Sequence, residues 1–259
     1  MPFAELPDVR IHYQWSGPEN APVSIFCNSL GTTLEMWDPQ IAAFNKRFRV
    51  LRYDSRGHGQ SSTPPGPYNV NQLAGDVVHL LDALKLDRVL FCGLSIGGMT
   101  GLRLATIAAN RFHKVVLCNT AAKIGTAETW NARIATVQHG GMKAVAATVI
   151  ERWLTAEYRA THPAETARGI AMLENANPDG YVASCAAVRD MDQREAIAGT
   201  AVPTLVLSGT KDSVTPPSEG RFISEHIKSA QFTEVNAAHL SNWEAAEEFN
   251  RRVLKFLLP

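Results

Sequence analysis

Six short apolar runs, each separated from the next by a longer stretch, restrict this chain more than any other feature. They read V-S-I-F-C-N (23–28), F-R-V-L-R-Y-D (48–54), R-V-L-F-C-G (88–93), K-V-V-L-C-N (114–119), T-L-V-L-S-G (204–209) and F-T-E-V (232–235). Most are apolar almost without interruption, as a strand covered on both faces must be. Several of the stretches between them have helical spacing. The segment 70–85 sets Leu73, Val77, Leu80, Leu81 and Leu84 on one stripe, and Asn69 with Gln72 resembles a capping box at its start. Residues 96–110 and 243–257 also read as helix. Alternation of this kind predicts an α/β fold, a mostly parallel sheet with helices on both faces. Ahead of it, A-E-L-P-D-V-R-I-H-Y-Q-W reads as a hairpin turning at Pro7 and Asp8. A chain of 259 residues, 45% hydrophobic and 19% charged, has the size for one large α/β domain or two small ones, with a sizeable core.

The rhythm breaks once. From about 122 to 198 there are helical patterns rich in Ala, Arg and Trp, and no convincing strand. The expected organisation is therefore a core of residues 1–121 and 199–259. A helical cap, residues 122–198, would be inserted between two core strands and lie over the strand ends like a lid.

Lys and Arg together number 25, as do Asp and Glu, so the formal charge is zero. That gives no electrostatic reason to expect nucleic acid or an anionic membrane as partner; a small anionic substrate would need local positive charge. The four cysteines, Cys27, Cys92, Cys118 and Cys185, form no C-x-x-C pair, and three of them end apolar runs. They read as small buried hydrophobes. No H-x-x-x-H or Cys/His cluster suggests a metal site. The first residues lack the basic-then-apolar pattern of a signal peptide, and no apolar run reaches the roughly 18 residues a membrane span needs, so a cytoplasmic location is expected.

Against this background one stretch carries chemistry. F-C-G-L-S-I-G-G, from position 91, fits G-x-S-x-G with a strand before it and a helix after it. A serine on so tight a strand-to-helix turn has a strained backbone, and glycines two positions either side remove side chains that would collide. The turn lifts the Ser95 hydroxyl clear of the sheet and aims the N–H of Ile96 at an oxygen held above it. A serine hydroxyl is a poor nucleophile until a histidine and an acid orient it, and in this architecture the acid precedes the histidine in the chain. T-L-V-L-S-G is followed by T-K-D-S-V, which supplies Asp212; F-T-E-V is followed by N-A-A-H-L-S-N, which supplies His239. Both fall where carboxyl ends of core strands should gather. Asp54 and His58, in R-Y-D-S-R-G-H-G, precede the nucleophile, and Asp54 is expected to brace that turn; His113 and His226 lie near helix ends. A second oxyanion donor is expected from N-S-L-G-T after the strand at 23–28, as the backbone N–H of Leu30.

N-S-L-G-T with M-W-D, R-Y-D-S-R-G-H-G-Q-S, F-C-G-L-S-I-G-G and A-A-H-L-S-N together resemble the α/β-hydrolase fold across almost the whole chain. Within that fold, C-N-T-A-A-K-I-G (118–125), T-W-N-A-R-I (129–134) and C-A-A-V-R-D-M-D (185–192) are similar to the 3-oxoadipate enol-lactonases. The resemblance implies hydrolysis of 3-oxoadipate enol-lactone to 3-oxoadipate, in bacterial breakdown of protocatechuate and catechol, with no cofactor. It also implies the triad Ser95, Asp212 and His239 and the oxyanion donors Leu30 and Ile96. Such a substrate carries a carboxylate away from the bond that breaks. Trp130 and Arg133, three apart on an expected cap helix, offer an apolar wall and a guanidinium on one face, with Arg189 and Trp153 as rivals. The same triad would also serve a broader carboxylesterase or a perhydrolase-like enzyme, and some proteins of this fold only bind small molecules.

Overall fold

The computed structural model describes residues 2–258. In chain order the elements are β1 (Phe3–Glu5), β2 (Arg10–Ser16), β3 (Val23–Cys27), α1 (Asp38–Phe44), β4 (Arg49–Tyr53), α2 (Val70–Ala83), β5 (Val89–Leu94), α3 (Ile96–Ile107) and β6 (Phe112–Cys118). Then come α4 (Ala127–Gly140), α5 (Lys143–Trp153), α6 (Ala156–Thr161), α7 (Pro163–Glu174), α8 (Pro178–Asp190), β7 (Thr204–Gly209), α9 (Pro217–His226), β8 (Ala230–Val235), α10 (Ser241–Glu244) and α11 (Ala246–Leu257).

The strands form one sheet in the order β1-β2-β4-β3-β5-β6-β7-β8. β1 and β2 make the expected hairpin, and β2 pairs antiparallel with β4. From β4 to β8 every pairing is parallel. All six apolar runs are strands. β5 and β7 are buried at every position because helices cover both faces. Two apolar clusters result, one on each side. Phe26, Trp37, Val116 and Phe249 lie in the first, and Ile25, Val77, Phe91 and Leu117 in the second. Consecutive residues of β3 (Ile25, Phe26) and β6 (Val116, Leu117) thus serve opposite layers.

α2 begins as expected: the Asn69 carboxamide accepts from the Gln72 N–H, and the Gln72 side chain accepts from the Asn69 N–H, each at 3.0 Å. The C-terminal helical stretch differs from expectation. It is broken at Ala245, whose φ −122° and ψ 43° are not helical, so α10 and α11 are separate. The break leaves the Glu244 carboxylate free to accept from the N–H groups of Ala238 and Thr155, at 2.9 and 3.2 Å, and from the Thr155 hydroxyl.

Between β6 and β7 the chain makes five helices, α4 to α8, and no strand. They rest on the loops that follow the core strands. The Leu240 N–H donates to the Trp153 carbonyl at 2.9 Å, and the Tyr68 N–H to the Ala183 carbonyl at 3.1 Å. A Cβ on Gly180 would come within 2.1 Å of the Gly57 carbonyl oxygen, so α8 meets the turn after β4 backbone to backbone.

Candidate active site

Because β5 to β8 run parallel, the segments after β5, β7 and β8 all emerge on one edge of the sheet. Ser95 follows β5, Asp212 follows β7 and His239 follows β8, and all three are buried. Ser95 is held at φ 59° and ψ −119°, a strained conformation for a residue with a side chain. Its N–H donates to the Cys118 carbonyl at 2.9 Å, and its carbonyl accepts from the Thr120 hydroxyl at 2.8 Å. A Cβ on Gly93 would lie 2.2 Å from the Gly97 carbonyl oxygen, and one on Gly97 would lie 2.3 Å from that of Cys27. The two glycines of G-L-S-I-G therefore allow β5, α3 and β3 to come together around the serine.

Asp212 and His239 meet directly. His239 Nδ1 lies 2.9 Å from Asp212 Oδ2, which fixes the proton on Nδ1 and leaves Nε2 as the basic nitrogen. Asp212 Oδ2 also accepts from Asn119 Nδ2 at 2.9 Å and from the Thr215 hydroxyl at 2.8 Å. Its Oδ1 accepts from the N–H groups of Val214 and Thr215 at 2.8 and 3.0 Å. Burial alone would raise the Asp212 pKa. The His239 charge and these hydrogen bonds outweigh burial and bring it down to about 2.

Asn119 and Thr120, consecutive residues just beyond β6, were not singled out by sequence reasoning. Thr120 holds the Ser95 carbonyl and Asn119 holds the Asp212 carboxylate; Asn119 also donates to the Ala238 carbonyl at 3.3 Å, next to His239. The Ser241 hydroxyl donates to Asn119 Oδ1 at 2.6 Å. Asn119 has φ 45°, a left-handed value that Asn tolerates better than most residues. The sequence signals were a polar residue ending an apolar run and its place in the C-N-T-A-A-K-I-G stretch.

The oxyanion candidates lie where expected in the chain. Ile96 is the first residue of α3, whose N–H has no carbonyl one turn back to bond. In the turn after β3, the Ser29 N–H points to Met36 Sδ at 3.2 Å and the Gly31 N–H donates to His58 Nε2 at 3.0 Å; Leu30, between them, is committed to neither bond. Asn28 is a bracket for this turn: its Nδ2 donates to the Tyr53 carbonyl at 2.8 Å and its Oδ1 accepts from Trp37 Nε1 at 2.9 Å. His58 accepts from Gly31 only while neutral, and burial lowers its pKa, which favours that form. Asp54 braces the neighbouring turn as expected, accepting from the N–H groups of Leu34 and Gln60 at 2.7 and 3.0 Å and pairing with His12 at 2.7 Å. His113 and His226 are exposed.

Cys27, on the strand before the turn, has its pKa pushed up to about 12 by burial, so it offers no thiolate to compete with Ser95. All four cysteines are free and buried. Among the described residues no three His, Cys, Asp or Glu side chains converge as metal ligands would. No helix of the described chain is long and apolar enough to cross a membrane.

A cavity of about 410 Å³ joins the helical insertion to the loop that carries the acid. Trp130, Arg133 and Arg152 line one side, and Ser213, Val214 and Pro216 the other. Trp130 is fixed by a hydrogen bond from its Nε1 to the Ile124 carbonyl at 3.0 Å, and the Arg133 guanidinium lies 5.2 Å from its ring centre. The rivals are elsewhere. Trp153 is buried in the core, and Arg189 is bound to Asp190 and Asn131 beside a different cavity.

Residues 22–148 match the family model of the α/β hydrolase fold. The chain is 41% identical to 3-oxoadipate enol-lactonase 2 of Acinetobacter baylyi, over 95% of this chain and 92% of that protein. It is 40% identical to 3-oxoadipate enol-lactonase 1 of the same organism, over 91% and 88%. This chain belongs to the 3-oxoadipate enol-lactonase family of α/β hydrolases. The crystal structure of the enol-lactonase from Burkholderia xenovorans LB400 superposes with a TM-score of 0.98 at 44% identity, covering both chains completely. The family match therefore extends through the helical insertion as well as the sheet.

Proposed function

We propose that this chain hydrolyses 3-oxoadipate enol-lactone to 3-oxoadipate, as a cytoplasmic step in the breakdown of aromatic compounds and without a cofactor. The observation that carries the reading is the cavity in which Arg133 and Trp130 of the insertion face the residues that follow Asp212. It puts a cation and an apolar wall beside the loop of a Ser-His-Asp set, as a carboxylated lactone requires. In this reading helices α4 to α8 act as a cap that selects the substrate.

His239 Nε2 takes the Ser95 proton as Oγ bonds to the lactone carbonyl carbon, and Asp212 stabilises the imidazolium that results. The N–H groups of Leu30 and Ile96 hold the oxyanion. When the intermediate collapses, the bond to the ring oxygen breaks and its electron pair becomes an enolate, which takes the proton held by His239, restoring the basic Nε2, and tautomerises to the ketone. An enolate leaves more easily than a simple alkoxide, so little acid assistance is needed. Water, deprotonated by His239, then adds to the acyl-enzyme and the bond to Ser95 Oγ breaks. Ester hydrolysis of this kind needs a nucleophile, a base and two amide donors, all available from the chain.

The test is a comparison of substrates. Purified protein should open the enol-lactone far faster than it cleaves p-nitrophenyl acetate, and Ser95→Ala should lower kcat by about 10³-fold or more. Equal or reversed preference would leave a general esterase, and a Ser95→Ala enzyme with normal turnover would remove the mechanism.

A further inference from the structure

The helical insertion contains six arginines: Arg133, Arg152, Arg159, Arg168, Arg189 and Arg194. Four of them meet a carboxylate, on Glu151, Asp38, Asp190 and Asp192 respectively. The two that form no ion pair among the described residues, Arg133 and Arg152, are the two that line the cavity beside the Asp212 loop. They come from different helices, α4 and α5, so their convergence is a product of the fold and not of sequence spacing. Arg152 is partly buried and spends one donor on the Ser213 carbonyl at 3.2 Å. Arg133 rests on Trp130, and its charge works against the burial that raises the Tyr181 pKa. Burial and the like charge of Arg133 lower the Arg152 pKa, against the opposing pull of the Asp212 carboxylate.

Holding two guanidinium groups in one cavity is unfavourable for the free chain and becomes favourable when an anion enters. We propose that Arg152 is a second specificity-determining residue, forming with Arg133 a two-guanidinium clamp on the substrate's free carboxylate. This rests on the carboxylated-lactone reading above and adds to it a residue from another helix. A carboxylate has about four lone-pair sites and can accept from two guanidinium groups at once. The clamp also discriminates against neutral esters, which would leave both cations unneutralised. One consequence separates this from a single-arginine pocket: the free enzyme binds small oxyanions, with inorganic sulfate as the simplest probe.

The experiment compares the carboxylated lactone with its primary amide, following ring opening, in wild type, Arg133→Gln, Arg152→Gln and Arg152→Lys. Arg152→Gln should raise KM for the carboxylated lactone about tenfold or more, the scale of a lost charge-assisted hydrogen bond, and leave kcat/KM for the amide within about twofold. Arg152→Lys should recover part of the loss. Sulfate should inhibit the wild type competitively, and Arg152→Gln should weaken that inhibition. The proposal fails if Arg152→Gln keeps the wild-type KM and sulfate sensitivity while Arg133→Gln does not; the carboxylate reading then stands on Arg133 alone. It also fails if Arg152→Gln loses both substrates equally together with thermal stability, since the residue would then only tie α5 to Ser213. If the wild type opens the amide as readily as the acid, the carboxylate reading itself falls.

Discussion

Asp212 Oδ2 receives three donors, and only one of them is the histidine. Asn119 is the donor with the widest reach, since it also touches the His239 loop through the Ala238 carbonyl. It acts through Asp212 and is a positioning residue. Glycine tolerates its left-handed φ, so Asn119→Gly removes the carboxamide without adding backbone strain. That variant should lower kcat about tenfold and leave KM within about twofold, because ground-state binding does not involve the acid. Unchanged kcat in Asn119→Gly would reduce Asn119 to a structural link. The three residues proposed as the triad were legible in the sequence because each lies within a few positions of the end of a recognisable strand. Asn119 and Arg152 were not, since their partners lie far away in the chain: Asp212 is 93 positions from Asn119, and Ser213 is 61 from Arg152.

The strand–helix alternation was readable because burial on both faces demands uninterrupted apolar runs, and all six runs became strands. The break at Ala245 was hidden because nothing local forbids a helix there. It accompanies the bonds Glu244 makes with Ala238 and Thr155, which no local spacing reveals. How the insertion is seated was equally hidden. At the contact of α8 with the turn after β4, Gly180 leaves no room for a methyl group against Gly57. Gly180→Ala should therefore lift α8 from that turn and, if the insertion acts as the proposed cap, lower kcat/KM about tenfold or more while the far-ultraviolet circular dichroism stays that of the folded chain. Wild-type activity in a folded Gly180→Ala enzyme would mean that the seating of α8 does not set the site's geometry.

For the molecule as a whole, neutral net charge leaves charge effects to local arrangements, and the buried acid is one with a global readout. The Asp212 pKa is about 2 in the folded chain against an ordinary 3.8. A depressed folded value means the unfolded chain binds more protons across that interval, so stability is fully present above pH 4 and is lost as pH falls through about 2. The shift corresponds to about 2 kcal/mol. Denaturant unfolding between pH 5 and 2 should show a decline of that size in the wild type that Asp212→Asn lacks; parallel curves for the two proteins would contradict the linkage. The sheet and its covered faces could be foreseen from apolar pattern alone, whereas the insertion's contacts depend on polar partners that no periodicity encodes. That insertion leaves the core after β6 and returns at β7, and those two strands are hydrogen-bonded neighbours. Its two ends therefore meet the sheet at adjacent strands, like a cassette plugged into one socket. Under the proposed cap reading, insertions of other lengths exchanged there would leave the polar network around Asp212 uncut and give protein engineers a place to vary selectivity independently of bond-making chemistry.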